Sequence, residues 1–138
     1  MTPELRWLLY VALLAGTLWA PYVVGVNVTE FPGKGELFVR PPDLSKMVPW
    51  VHRAFRAQQN LIEQLVPFAV VVLVGAAAHV STPVTRVGPM IFFWLRVVHA
   101  IGFISGVARA PVRPLLYLGG WGVMVVQAWQ IVAYAGEG

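Results

Sequence analysis

The sequence predicts an all-α membrane protein, a four-transmembrane-helix bundle, and three observations carry that expectation. Hydrophobic residues make up 58% of the 138 positions and charged residues only 12%, with a mean hydropathy of +0.70, far from the balance of a soluble domain. The apolar residues fall into four runs, each long enough to cross a hydrocarbon core that needs about 20 residues. Between the runs stand segments dense in Gly, Pro and charge, such as FPGKGE and RPPDLSK. The length leaves room for one domain, residues 1-138, and four spans use nearly all of it.

The first span is expected over about 5-26, with no charged residue between Trp7 and Asn27 and with Pro21 bending its last turns. Its apolar stretch, Trp7 to Val28, is longer than the core of a secretory signal and lacks a clear small-residue cleavage site, so it reads as a helix that stays. Trp7, Tyr10, Trp19 and Tyr22 suit the membrane boundaries. Residues from Asn27 to Pro49 read as a solvent loop. The second span, about 48-78, has a polar first half, WVHRAFRAQQNLIEQ, and an apolar second half, LVPFAVVVLVGAAA. Ser81, Thr82 and Pro83 form a helix-start signature for the third span, about 83-107. ARAPVRP then breaks the chain before a fourth span, about 111-135, in which Gly119, Gly120 and Gly122 allow close helix packing.

The net charge of +4 comes from ten Lys and Arg residues scattered among apolar runs, which describes membrane topology and not a nucleic-acid surface. Lys34, Arg40, Lys46, Arg53 and Arg56 surround the first loop, Arg109 and Arg113 the third, and only Arg6 and Arg86 the opposite side. The positive-inside tendency puts both those loops in the cytoplasm and both termini outside it, as in a multi-pass protein of a bacterial inner membrane. With no cysteine in the chain, any thiol chemistry has to come from a ligand.

At roughly 100° per residue, Arg53, Arg56, Asn60, Glu63 and Pro67 share a sector of about 80° on the second span. Arg96, His99 and Phe103 form one stripe on the third, and Arg113, Tyr117, Gly120, Met124 and Gln127 another on the fourth. A mid-membrane charge costs about 2.5 to 3.5 kcal/mol, so Glu63 and Arg96 require partners. One reading pairs Glu63 with Arg96 or Arg56 to fasten the bundle. The other starts from Arg53, Arg56, Arg96, Arg109 and Arg113 facing a single buried carboxylate. The surplus guanidinium groups then suit an anionic, peptide-like ligand, its amino group on Glu63 and its amide on Asn60. His52 and His79 read as boundary residues, His99 as a hydrogen-bonding group between helices, and the three have no metal-ligand spacing. Phe92, Phe93, Trp94, Trp121 and Trp129 read as packing or lipid-facing residues.

The stretch RAFRAQQNLIEQLVPF, with RVVHAIGF and RAPVRPLLY further on, resembles the MAPEG family, the membrane-associated proteins in eicosanoid and glutathione metabolism. The resemblance covers nearly the whole chain and points to a bacterial-type member. It implies a homotrimer of four-helix protomers with glutathione as co-substrate, bound between neighbours near the cytoplasm. It also implies that Arg53, Arg56, Asn60 and Glu63 hold glutathione, with Arg96, His99 and Tyr117 as further wall residues. Arg113 would be the catalytic group that stabilises the thiolate. The chain departs from the family pattern at Gln59, Phe103 and Pro114, and has no arginine at the loop end of its first span.

Three functions follow as expectations. The first is a glutathione-dependent transferase or peroxidase acting on a lipophilic small-molecule substrate that enters from the membrane lipid. The second is a non-catalytic MAPEG-like protein that binds lipid or a partner protein. The third, disfavoured by the surplus arginines, is a small transporter with Glu63 as coupling carboxylate.

Overall fold

The computed structural model of the protein describes residues 1–37, 39, 43–108 and 110–136, so Arg40 and Arg109 lie outside the described residues. Five α-helices follow one another: α1 (Pro3–Thr17), α2 (Ala20–Val28), α3 (Pro49–Ala77), α4 (Pro83–Ser105) and α5 (Val112–Ala135). There are no strands among the described residues. Four spans are long and apolar enough to cross a membrane: Pro3–Val28, Pro49–Ala77, Pro83–Ser105 and Val112–Ala135.

The first span differs from its expectation of one helix bending at Pro21. It is interrupted at Leu18 and Trp19. Pro21 offers no N–H to the Thr17 carbonyl and its ring crowds that oxygen, so the chain restarts with Pro21 in the first turn of α2, where a missing donor costs nothing. The Thr17 hydroxyl also turns back onto the Leu13 and Leu14 carbonyls. Lys34 of the loop has a local role beyond topology: its Nζ donates to the Asn27 and Thr29 carbonyls at 3.0 and 2.9 Å and to Glu30 Oε1 at 3.0 Å, closing the end of α2.

Thr82 and Thr85 exchange hydroxyl-to-backbone bonds at the start of α4, with Pro83 as its first residue. The helix ends two residues earlier than the pattern suggests because Gly106 adopts a φ of 80°, a left-handed conformation that stops the helix.

The start of α3 and the end of α4 share one end of the bundle, where Arg53 Nε donates to the Ile104 carbonyl at 3.1 Å. The start of α1 and the turn before α4 share the other, where the Ser81 hydroxyl donates to Glu4 Oε1 at 2.8 Å. Between them α4 packs against α1, α3 and α5, and the Phe68 and Phe92 rings stack with centroids 3.8 Å apart at the centre of an apolar core. Outward lie Leu13, Val66, Val70, Ile101, Trp129 and Val132, all exposed. An apolar exterior around buried Gln, Asn, His and Arg side chains suits lipid as the solvent.

Candidate functional site

Three helices bring four of the expected residues together. Asn60 of α3, His99 of α4, and Arg113 and Tyr117 of α5 line one open cavity of about 510 Å³, with Ala108, Ala110, Pro114 and Leu118 completing its lining. That volume suits a ligand of tripeptide size. Asn60 and His99 are buried, and His99 Nε2 has no hydrogen-bond partner among the described residues. An unpaired polar atom in such a place costs about 1–3 kcal/mol, so the cavity favours an occupant that can pair with it. Arg113 is half-buried and its guanidinium carbon lies 3.9 Å from the centre of the Phe103 ring. The ring takes the face of the guanidinium and leaves its in-plane N–H donors available to an anion.

The other expected residues occupy different places. Arg96 is 1% exposed and does not line the cavity. Its Nη2 donates to the Leu116 carbonyl at 2.6 Å, and its guanidinium carbon is 5.6 and 5.8 Å from the Phe92 and Tyr117 ring centres. Arg96 therefore stands behind the wall and fixes the first turns of α5, which carry Arg113 and Tyr117. Gly120 makes this approach feasible, since a Cβ there would lie 2.6 Å from Gln64 Oε1 and 2.9 Å from Arg96 Nη2. Arg53 is used at the end of α4, on the Ile104 carbonyl and against Gly106. Arg56 donates to Gln59 Oε1 at 3.0 Å.

Glu63 corrects the expectation of a buried, paired carboxylate. It is exposed on the outer side of α3 and, among the described residues, makes no hydrogen bond or ion pair with Arg96, Arg56 or any other group. The reason is rotational: Glu63 lies about 60° round the helix from buried Asn60, enough to carry it from the core face to the outside. It borders a smaller cavity of about 100 Å³ with Gln64, Pro67, Phe92 and Trp121, and Tyr117 lines both this space and the larger one.

Three buried polar residues, Glu4, Gln64 and Thr85, stand outside the stripes that the sequence predicts. Gln64 follows Asn60 by one turn, and its Nε2 donates to the Tyr117 carbonyl at 3.0 Å, tying α3 to the site's floor. The spacing from Asn60 was the available signal. Glu4 is 6% exposed and is the buried carboxylate of the described chain, but in sequence it reads as an ordinary acid in a helix's first turn.

The cavity joins a cation, a phenol, an amide and an imidazole, with no carboxylate on its lining. It can hold an anionic, hydrogen-bonding molecule and stabilise negative charge beside Arg113. The MAPEG family model matches residues 7–133 of the chain. No curated protein sequence matches it significantly.

Proposed function

The chain belongs to the MAPEG family, and on that footing we propose that it is a glutathione-dependent membrane transferase or peroxidase acting on lipophilic electrophiles. The observation that carries this reading is the 510 Å³ cavity that gathers Asn60, His99, Arg113 and Tyr117 from three helices. Its donors match a peptide with carboxylates and amides, and the unpartnered His99 Nε2 gives such a ligand a bond to make.

Glutathione supplies the sulfur nucleophile. Arg113, steadied by Phe103, directs its N–H donors at the sulfur and favours the thiolate over the thiol. Arg96 and Gln64 act at one remove, holding the backbone at Leu116 and Tyr117 so that Arg113 starts in place. The apolar exterior gives a lipophilic substrate an approach from the bilayer. In conjugation the sulfur–carbon bond forms as the electrophile's leaving group departs with its electron pair.

We further propose a homotrimer with glutathione between protomers. Glu63 supports it: an exposed, unpaired carboxylate on an apolar span costs about 2.5 to 3.5 kcal/mol in lipid, and a neighbouring copy would cover it. Arg56 and Glu63 then complete the ligand shell from the outer face of α3. The surplus of Lys and Arg at the site's end supports a reading in which that end faces the cytoplasm and both termini lie on the other side of the membrane, taken as a bacterial inner membrane.

Arg113→Ala tests the catalytic role: conjugation falls about 100- to 1,000-fold while glutathione binding and assembly persist. Unchanged turnover would contradict the assignment. The lack of an arginine at the loop end of the first span favours the second reading, a non-catalytic member that binds lipid or a partner protein, and glutathione binding without conjugation by the native chain would support that reading.

A further inference from the structure

At the end of the bundle opposite Arg113 lies a second cavity, of about 160 Å³, whose polar lining includes Thr2, Glu4, Thr85 and Gln127. Most of the remaining wall is apolar: Val72, Gly75, Ala76, Val80 and Ile131. Glu4 and Gln127 are 6% and 1% exposed. The Ser81 and Thr85 hydroxyls donate to Glu4 Oε1 at 2.8 and 3.3 Å, and the Thr2 hydroxyl and the Glu4 backbone N–H also interact with the carboxylate. Among the described residues, neither Glu4 Oε2 nor Gln127 Nε2 has a hydrogen-bond partner of good geometry. Arg86 reaches Ser81 Oγ at 3.0 Å but makes no ion pair with Glu4. Gly88 leaves the space against which the Gln127 amide packs, since a Cβ there would overlap Nε2.

We propose that this cavity binds a primary ammonium group on a short aliphatic body, with Glu4 Oε2 as its counter-ion. A buried carboxylate oxygen without a partner calls for a charged donor. The Gln127 side chain also lines the cavity, and its amide oxygen can serve as a second acceptor. A bare metal ion would need a full shell of oxygens, whereas most of this wall is hydrocarbon, which suits aliphatic carbon. The cavity lies at the end of the apolar spans, with the exposed residues Thr2 and His79 on its lining, so the ammonium can come from a free alkylamine or from a phospholipid headgroup.

The test uses the full chain in detergent. n-Butylammonium chloride should raise the unfolding temperature saturably, while equal concentrations of sodium chloride or tetramethylammonium chloride, which has no N–H, should not. Native mass spectrometry with phosphatidylethanolamine against phosphatidylcholine separates the two sources, because preferential retention of phosphatidylethanolamine identifies the headgroup. Folded Glu4→Gln should lose both effects. Ala76→Leu, which fills the cavity and leaves the carboxylate in place, should lose them too, and decides the matter if Glu4→Gln does not fold. Two results would overturn the proposal. One is that butylammonium behaves like sodium chloride and the two lipids are retained equally by the native protein. The other is that the folded variants bind as the native chain does.

Discussion

The two ends of the bundle each hold a cavity with an ionisable group on its lining, and they differ in sign, size and construction. One holds about 510 Å³ and presents Arg113 with no carboxylate on its lining; the other holds about 160 Å³ and presents Glu4 with no lysine or arginine on its lining. The larger is assembled from one side chain each of α3 and α4, Asn60 and His99, and from the first two turns of α5, with Ala108 and Ala110 of the segment before it. The smaller forms where the start of α1 docks against the start of α4 through the Ser81 and Thr85 hydroxyls. The difference teaches that a bundle in lipid can keep unpaired charge of either sign when helices approach closely enough to exclude hydrocarbon. At both ends a glycine permits the approach: Gly120 beside Arg96 and Gly88 beside Gln127.

The largest expected effect is chemical and confined to one end. Arg113→Ala should cut conjugation by the factor given above and leave the butylammonium shift at the Glu4 end intact, as read by turnover and thermal unfolding of the same sample. Loss of both would show that the cavities are coupled and break the comparison. Next comes packing: Gly120→Val drives a side chain into Gln64 and Arg96 and should cost about 1–3 kcal/mol of stability in chemical denaturation. It should also weaken glutathione binding by shifting Tyr117. A variant as stable as the parent would show that Arg96 is not held where its contacts place it. The smallest effect belongs to the opposite end. Thr82→Ala removes the cap of α4 and should cost about 1 kcal/mol with the conjugation rate unchanged, so a large loss of rate would mean that α4 transmits strain along its length.

Helical periodicity made much of the fold and half of the site legible. Asn60, His99, Arg113 and Tyr117 sit on inward stripes, and the cavity gathers those four. Arg53 and Arg96 were just as visible as charges. Their partners, however, are the Ile104 and Leu116 carbonyls, and which carbonyl a guanidinium meets depends on how helices dock. Glu63 shows the limit of a sector argument: its sector straddles the edge between buried and exposed faces, and no pattern in one chain fixes where that edge falls. Glu4 was hidden because a first-turn acid usually faces water, and only the turn before α4, folding over it, buries it. The break at Leu18 and Trp19 followed from Pro21, displaced to the turn that lost its donor.

The central claim is that the Arg113 cavity is a glutathione site. Isothermal titration of glutathione into the purified, assembled protein tests it most directly. The account predicts saturable binding in the millimolar range or tighter, weakened in Asn60→Ala and Tyr117→Phe; absence of any binding heat at millimolar glutathione would contradict it.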